Sequence, residues 1–156
     1  MNKEPLVTLF VAGTPKGKPR PRFRITRTRD GRVFPSVYPD PEGHAYETAI
    51  KLAGRAAMRR AGLREPLTCP LRVRITAIFE PPPSWSLKKQ GEAIDGLIPP
   101  AVKPDYDNID KACLDGLNET IWRDDAIIVS ATTNKVYGKS PGIYVEVWEW
   151  TPARLL

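Results

Sequence analysis

The sequence is short of the residues that build the commonest soft-metal centres. It has two cysteines, Cys69 and Cys113, and one histidine, His44. A structural zinc site asks for about four Cys or His ligands, and a disulfide framework asks for several paired cysteines. Neither can be built within one chain, and two isolated thiols are consistent with a reducing compartment. Also missing is any apolar run near the roughly 18 residues that span a bilayer. The early stretch Leu6–Ala12 is too short and too poorly flanked for a signal peptide. A cytoplasmic protein with no membrane partner is expected. No internal repeat, low-complexity tract or linker-like break divides the chain, and 156 residues suit a single domain with a real core.

What is abundant is positive charge at one end. Residues 1–64 hold 14 Lys and Arg against 5 Asp and Glu, whereas the remainder holds 10 against 13, so the net +6 conceals a basic half and a mildly acidic half. That division suggests a polyanion-binding surface joined to something that uses carboxylates. A solubilising role for the charge is the plain alternative.

The expected elements follow from local signals. Leu6–Ala12 is rich in β-branched and aromatic residues and reads as a strand. Residues 13–22 contain Gly and Pro at positions that forbid regular structure. Residues 23–40 read as a basic loop or a short hairpin turning at Asp30-Gly31. A helix is expected from Pro41 to Ala61, with Asp40 as N-cap and Gly62 at its end. Leu71–Phe79 alternates as a strand, and Ser84 is expected to cap a short helix running to Ala93. Residues 94–104 are a loop. A helix then covers Asp107–Leu117, followed by strands over Ala126–Val136 and Ile143–Trp150, which Pro141 and Gly142 would join as a hairpin. The expectation is an α+β domain, a small mixed sheet packed with two main helices, rather than a strict βαβ repeat.

The chemistry concentrates between Lys103 and Asp125. Asp105 and Asp107 are two residues apart at a loop-to-helix junction, and Asp124 and Asp125 follow after one helix and a turn, a short return path to the same place. Clustered carboxylates repel unless a cation neutralises them, and hard oxygen ligands favour Mg²⁺ or Mn²⁺ over zinc. On a helical wheel Asp107, Lys111, Asp115 and Asn118 form one polar stripe, with Ile109, Ala112, Cys113 and Gly116 opposite. Lys111 sits one turn beyond Asp107, placed to stabilise a phosphoryl transition state or to protonate a leaving oxygen. Structural readings of each residue stand beside this. Asp105 or Asp107 caps the helix, Asp107 and Lys111 form a surface ion pair, and the later pair sits in a solvated turn. Trp122 is expected to pack behind the acidic turn.

The run Lys103-Pro-Asp-Tyr-Asp-Asn-Ile-Asp-Lys-Ala-Cys-Leu-Asp-Gly-Leu-Asn118, followed by Ile121-Trp-Arg-Asp-Asp125, resembles the signature of the RusA family of Holliday junction resolvases, small endodeoxyribonucleases often encoded by prophages. The opening Gly13-Thr-Pro-Lys-Gly-Lys-Pro-Arg-Pro-Arg22 and Lys135 add weaker matches. The resemblance implies an α+β fold, a homodimer, and a Mg²⁺-dependent nuclease for which Mn²⁺ substitutes. It implies Asp105, Asp107 and Asp125 as metal-binding catalytic residues, Lys111 as the catalytic lysine, and Asn108 as a site or DNA residue. The role of Asp124 stays open. A symmetric dimer would present two sites to two strands of a four-way junction. The chain departs from compact members in its longer basic segment over residues 23–40.

The basic arm carries the expected DNA contacts. Lys16, Lys18, Arg20, Arg22 and Arg24, with Arg27, Arg29 and Arg32, are interleaved with Pro, Gly, Phe23 and Phe34. Such side chains hold phosphates by releasing condensed counterions, without reading sequence. A phenylalanine in the arm would stack at an exposed base or anchor the loop to the core. Asn108 and Lys135 complete the expected DNA-facing set.

Overall fold

The structure is a computed structural model and describes residues 3–19, 21–38 and 40–152. Its first strand, β1 (Val7–Ala12), buries Val7, Leu9 and Val11 and sends alternate residues to the other side. The basic segment that follows is a hairpin. β2 (Arg22–Arg27) and β3 (Val33–Tyr38) pair antiparallel, with Arg22 opposite Tyr38 and Arg27 opposite Val33. Gly31 takes φ +83° in the turn, a conformation glycine adopts without steric cost, and its N–H reaches Thr28 O at 3.0 Å.

Helix α1 (Pro41–Arg60) starts and stops at the signals expected of it. Pro41 sits in the first turn, where its missing N–H costs nothing, and Gly62 follows the end at φ +71°. Asp40 stands at the N-cap, yet its side chain accepts no capping hydrogen bond. β4 (Leu71–Phe79) has the boundaries that its alternation suggests. The short helix α2 (Leu87–Ile94) is capped by Ser86, whose Oγ accepts from Lys89 N–H at 3.2 Å. The expected cap, Ser84, falls instead inside a turn closed by Trp85 N–H to Pro82 O at 3.0 Å, which delays the helix by two residues. α3 (Tyr106–Leu117) follows, then a 3₁₀ turn (Asp125–Ile127), β5 (Ile128–Tyr137) and β6 (Gly142–Glu149).

The main sheet has the order β1-β6-β4-β5, and β2 and β3 form a sheet of their own. β6 runs antiparallel to both β1 and β4, while β5 runs parallel to β4. The expected hairpin between the last two strands is therefore wrong. β4 lies between them, and Gly138 N–H bonds Phe79 O at 2.9 Å as the chain crosses the end of β4 to reach its far edge. Pairing on both edges suits β4, because its Leu71, Val73, Ile75 and Ala77 are almost wholly buried and leave no water for the backbone.

The two main helices cover one face of this sheet. They approach closely where glycines face side chains: a Cβ on Gly116 would lie 2.8 Å from Ile50, and one on Gly54 would lie 2.7 Å from Leu117. The fold is thus the expected α+β arrangement of a small mixed sheet with two main helices. The other sheet face stays polar. There Arg74 holds Glu146 through two hydrogen bonds, at 2.6 and 2.8 Å, and the Arg72 guanidinium lies 4.5 Å from the Trp148 ring.

Candidate active site

The first turn of α3 carries most of the suspected chemistry. Ile109, Ala112, Cys113, Gly116 and Leu117 are buried, so the opposite side of the helix is held outward. Asp107 and Lys111 stand exposed on that side, one turn apart, and no ion pair joins them among the described residues. An acidic residue in the first turn also complements the positive end of the helix. Asp105 is the N-cap residue without a side-chain capping bond, and Lys103 Nζ lies 2.7 and 2.8 Å from its two carboxylate oxygens.

Two loops position this turn. The Lys103–Pro104 peptide bond is cis. Lys135 of β5 donates from its ammonium to the carbonyls of Val102 and Pro104, the latter at 3.0 Å, and so ties the loop before Asp105 to the sheet. Lys135 was expected at DNA; here its ammonium holds the loop. On the other side the arm lies against α3. Gly17 packs so tightly on Asn108 and Pro104 that a Cβ would come within 2.9 and 3.1 Å of them. Lys18 N–H donates to Asn108 O at 3.1 Å, and Lys18 Nζ forms an ion pair with Asp115. Lys18 thus fastens the arm, while Lys16 is only 4.0 Å from Glu42.

The result is an open cleft between the arm and the loop, walled by Lys16, Gly17, Lys18 and Lys103, with Asp105 and Asn108 at its floor. A second cleft adjoins it, lined by Lys103, Asp105, Tyr106, Asp107 and Lys135. The β2–β3 hairpin has two unlike faces. Arg22, Arg24, Ser36 and Tyr38 share one, where Arg24 meets both the hydroxyl and the ring of Tyr38; Phe23, Ile25, Pro35 and Val37 share the other. Phe23 is 73% exposed and anchors nothing in the core. Arg20 lies outside the described residues.

Asp125 is where the sequence expectation and the structure part. Trp122, wholly buried behind the acidic turn, donates its indole N–H to Asp125 Oδ1 at 2.6 Å, and Asp124 caps the 3₁₀ turn through Ala126 N–H at 2.7 Å. The turn is well built, but it lies at the far end of α3. Thr133 Oγ1 donates to Asp110 at 2.8 Å, so the start of α3 sits beside the later half of β5, whereas Asp125 precedes the first residue of β5. Helix α3 and the turn after it separate Asp125 along the chain from the Asp105 turn, and Asp125 joins no three-ligand group among the described residues. Among the described residues, no group of three or more His, Cys, Asp or Glu is gathered to hold a metal ion. Asp105 and Asp107 offer hard oxygen donors suited to Mg²⁺, but one chain does not close a cage around it.

No local signal announces the Lys18–Asp115 and Thr133–Asp110 contacts, which join residues 97 and 23 positions apart. Comparison with known proteins agrees with the motif. The chain is 31% identical over 147 residues to a Bacillus subtilis (strain 168) protein named "Uncharacterized protein YqaN", covering 92% of this chain and 96% of that one. Residues 12–148 match the family model described as endodeoxyribonuclease RusA, a span that takes in the arm, the α3 turn, Asp125 and Lys135, and the chain belongs to the RusA endodeoxyribonuclease family.

Proposed function

We propose that the protein resolves four-way DNA junctions by hydrolytic nicking, as a Mg²⁺-dependent homodimer in the cytoplasm of a bacterium, encoded by the host or by a prophage. The observation that carries this is the pair Asp105 and Asp107 at the start of α3, lining two adjoining clefts of which one is walled by the basic arm, with Lys111 exposed one turn beyond. Acidic residues facing a polyanion weaken plain binding, so a binding module gains nothing from them. Among the described residues no helix is long and apolar enough to cross a membrane.

The roles divide by position. Arg22 and Arg24 on the polar hairpin face, with Lys16 on the arm, take phosphates and orient the branch. Asn108 sits where the arm meets the site and faces the same cleft. Lys111 lies beyond Asp107 and stabilises negative charge on the reacting phosphate or protonates the departing oxygen. A divalent cation, Mg²⁺ with Mn²⁺ as substitute, supplies charge neutralisation and lowers the pKa of a water. Asp105, Asp107 and Asp125 are its proposed ligands, although a single chain does not assemble them.

Incubation with a labelled synthetic junction and Mg²⁺ tests the reading, with Asp107→Asn as control. Paired nicks by the wild type and none by the variant are expected. Equal cutting of junction, flap and linear duplex points to a general branched-DNA nuclease. Tight junction binding without product under Mg²⁺ or Mn²⁺ rules out the enzyme and leaves a binding module.

A further inference from the structure

Tyr106 stands between the two carboxylates as the first residue of α3, and it is 66% exposed. It belongs neither to the core nor to the side chains packed against the core. A large aromatic ring here therefore contributes little to the packing of the helix. It lines the same cleft as Asp105 and Asp107. The rest of that cleft's wall is Pro100, Ala101, Val102, Lys103 and Lys135. Its volume of about 610 Å³ is within the range of pockets that take small molecules.

The apolar part of this wall is held in place. Lys135 ties down the carbonyls of Val102 and Pro104, and Ala101 N–H donates to Pro99 O at 3.0 Å. Pro99, Pro100 and Pro104 each fix φ within the same loop. Val102 nonetheless stays 48% exposed. A tied loop and a ring with two rotatable bonds lose little conformational freedom when a flat ligand enters. The charge of the cleft is also balanced, Asp105 and Asp107 against Lys103 and Lys135. That balance suits a neutral ligand, whereas the cleft walled by Lys16, Lys18 and Lys103 suits phosphate.

We propose that Tyr106 and the 100–102 loop form a nucleobase subsite, in which the Tyr106 ring stacks on an unpaired base next to the scissile phosphate. The inference rests on the nuclease reading above. That reading puts the phosphate to be cut at Asp105 and Asp107, and successive bases follow one another at ~3.4 Å along a strand. A base flanking that phosphate therefore enters the cleft that Tyr106 lines. Inside a continuous duplex both faces of every base are covered by its neighbours. At a branch point a base loses one neighbour, and its open face is free for an aromatic ring. Stacking of this kind tolerates every base, because each has a π-face. The subsite thus selects a place at the branch rather than a sequence.

Synthetic junctions carrying 5-iodouracil at one position at a time around the branch test the subsite. Long-wavelength ultraviolet light links this base to an aromatic side chain stacked on it. With wild-type protein and no divalent cation, a link to the peptide bearing Tyr106 is expected at the branch and not in a linear duplex. Cleavage is then followed in Mg²⁺ under single-turnover conditions. Tyr106→Ala is expected to cut an intact junction about tenfold more slowly than wild type, the scale of one lost stacking contact. Tyr106→Phe keeps the ring and is expected to recover most of that loss. An abasic nucleotide at the cross-linking position is expected to slow wild type by the same factor and Tyr106→Ala no further, because ring and base are two halves of one contact. The ring lies outside the core, so the variants are expected to fold. Junction cleavage with no link to Tyr106, or losses from Tyr106→Ala and the abasic nucleotide that simply add, overturns the subsite. A link to Tyr106 in a protein that cuts no junction upholds the subsite and removes the nuclease reading instead.

Discussion

Trp122 donates its indole N–H to Asp125 at 2.6 Å from a position wholly closed to solvent. The contact turns a surface carboxylate into one with a fixed heading. Trp122→Phe keeps most of the buried ring and removes the donor. It is expected to cost about 1–3 kcal/mol of stability, the range for a hydrogen bond to a charged group lost with some packing. Single-turnover junction cleavage is expected to fall at least tenfold in the folded variant. An unchanged rate in a protein destabilised by that amount would show that the heading of Asp125 does not matter.

Lys135 separates two roles that look alike in sequence. As a DNA contact it would contribute about one unit to the salt dependence of binding. As the tie on Val102 and Pro104 it acts on the loop that presents Asp105. Lys135→Met is expected to lower the cleavage rate roughly tenfold and leave the salt slope of junction binding within about half a unit of wild type. A slope reduced by a full unit with a normal rate reverses the assignment.

The hairpin faces predict an asymmetric response. Arg22→Gln with Arg24→Gln removes two cations from the polar face. Junction affinity is expected to drop and the salt slope to fall by about two units, with little change in melting temperature. Fluorescence anisotropy over a salt series reads both quantities.

Buried acids set the alkaline limit. Burial pushes the Tyr46 phenol and the Cys113 thiol each up to about 12. Both groups hold their protons more tightly folded than unfolded. Their contribution is therefore complete below their ordinary values, near 9 for the thiol and 10 for the phenol, and is lost as pH climbs towards 12. Urea denaturation is expected to show stability falling over that window, and less steeply in Cys113→Ala. A thiol reagent at pH 8 is expected to modify Cys69 in the native protein and spare Cys113, which has no exposed surface.

Local rules were enough for the single elements. Pro41 and Gly62 bracket α1, the alternation of Leu71–Phe79 bounds β4, and Asp30-Gly31 turns the hairpin, because each signal acts within a few residues. Strand order was beyond such rules. Pro141 and Gly142 make the chain turn, but nothing local states that β6 passes β5 to take the far edge of β4. The site divides in the same way. Asp105, Asp107 and Lys111 were legible because helical spacing fixes their relation. The direction in which α3 carries the chain decides where Asp125 lands, and that follows from packing of the helix on the sheet, through Ile109, Cys113 and Leu117.

The pairing of β1 with β6 also dictates when the sheet can form. Val7 lies opposite Val147, so the strand that leaves the ribosome first finds its partner last. β4 waits as well, since β5 and β6 fill its two edges only after residues 128 and 142 have been made. Until then two hydrophobic strands, β1 and β4, wait for partners across long stretches of chain, and closing such loops is slow. The early-made basic arm and hairpin keep a strongly cationic stretch in front of the waiting strands. Like-charged nascent chains repel one another, which protects the unfinished sheet during vectorial synthesis.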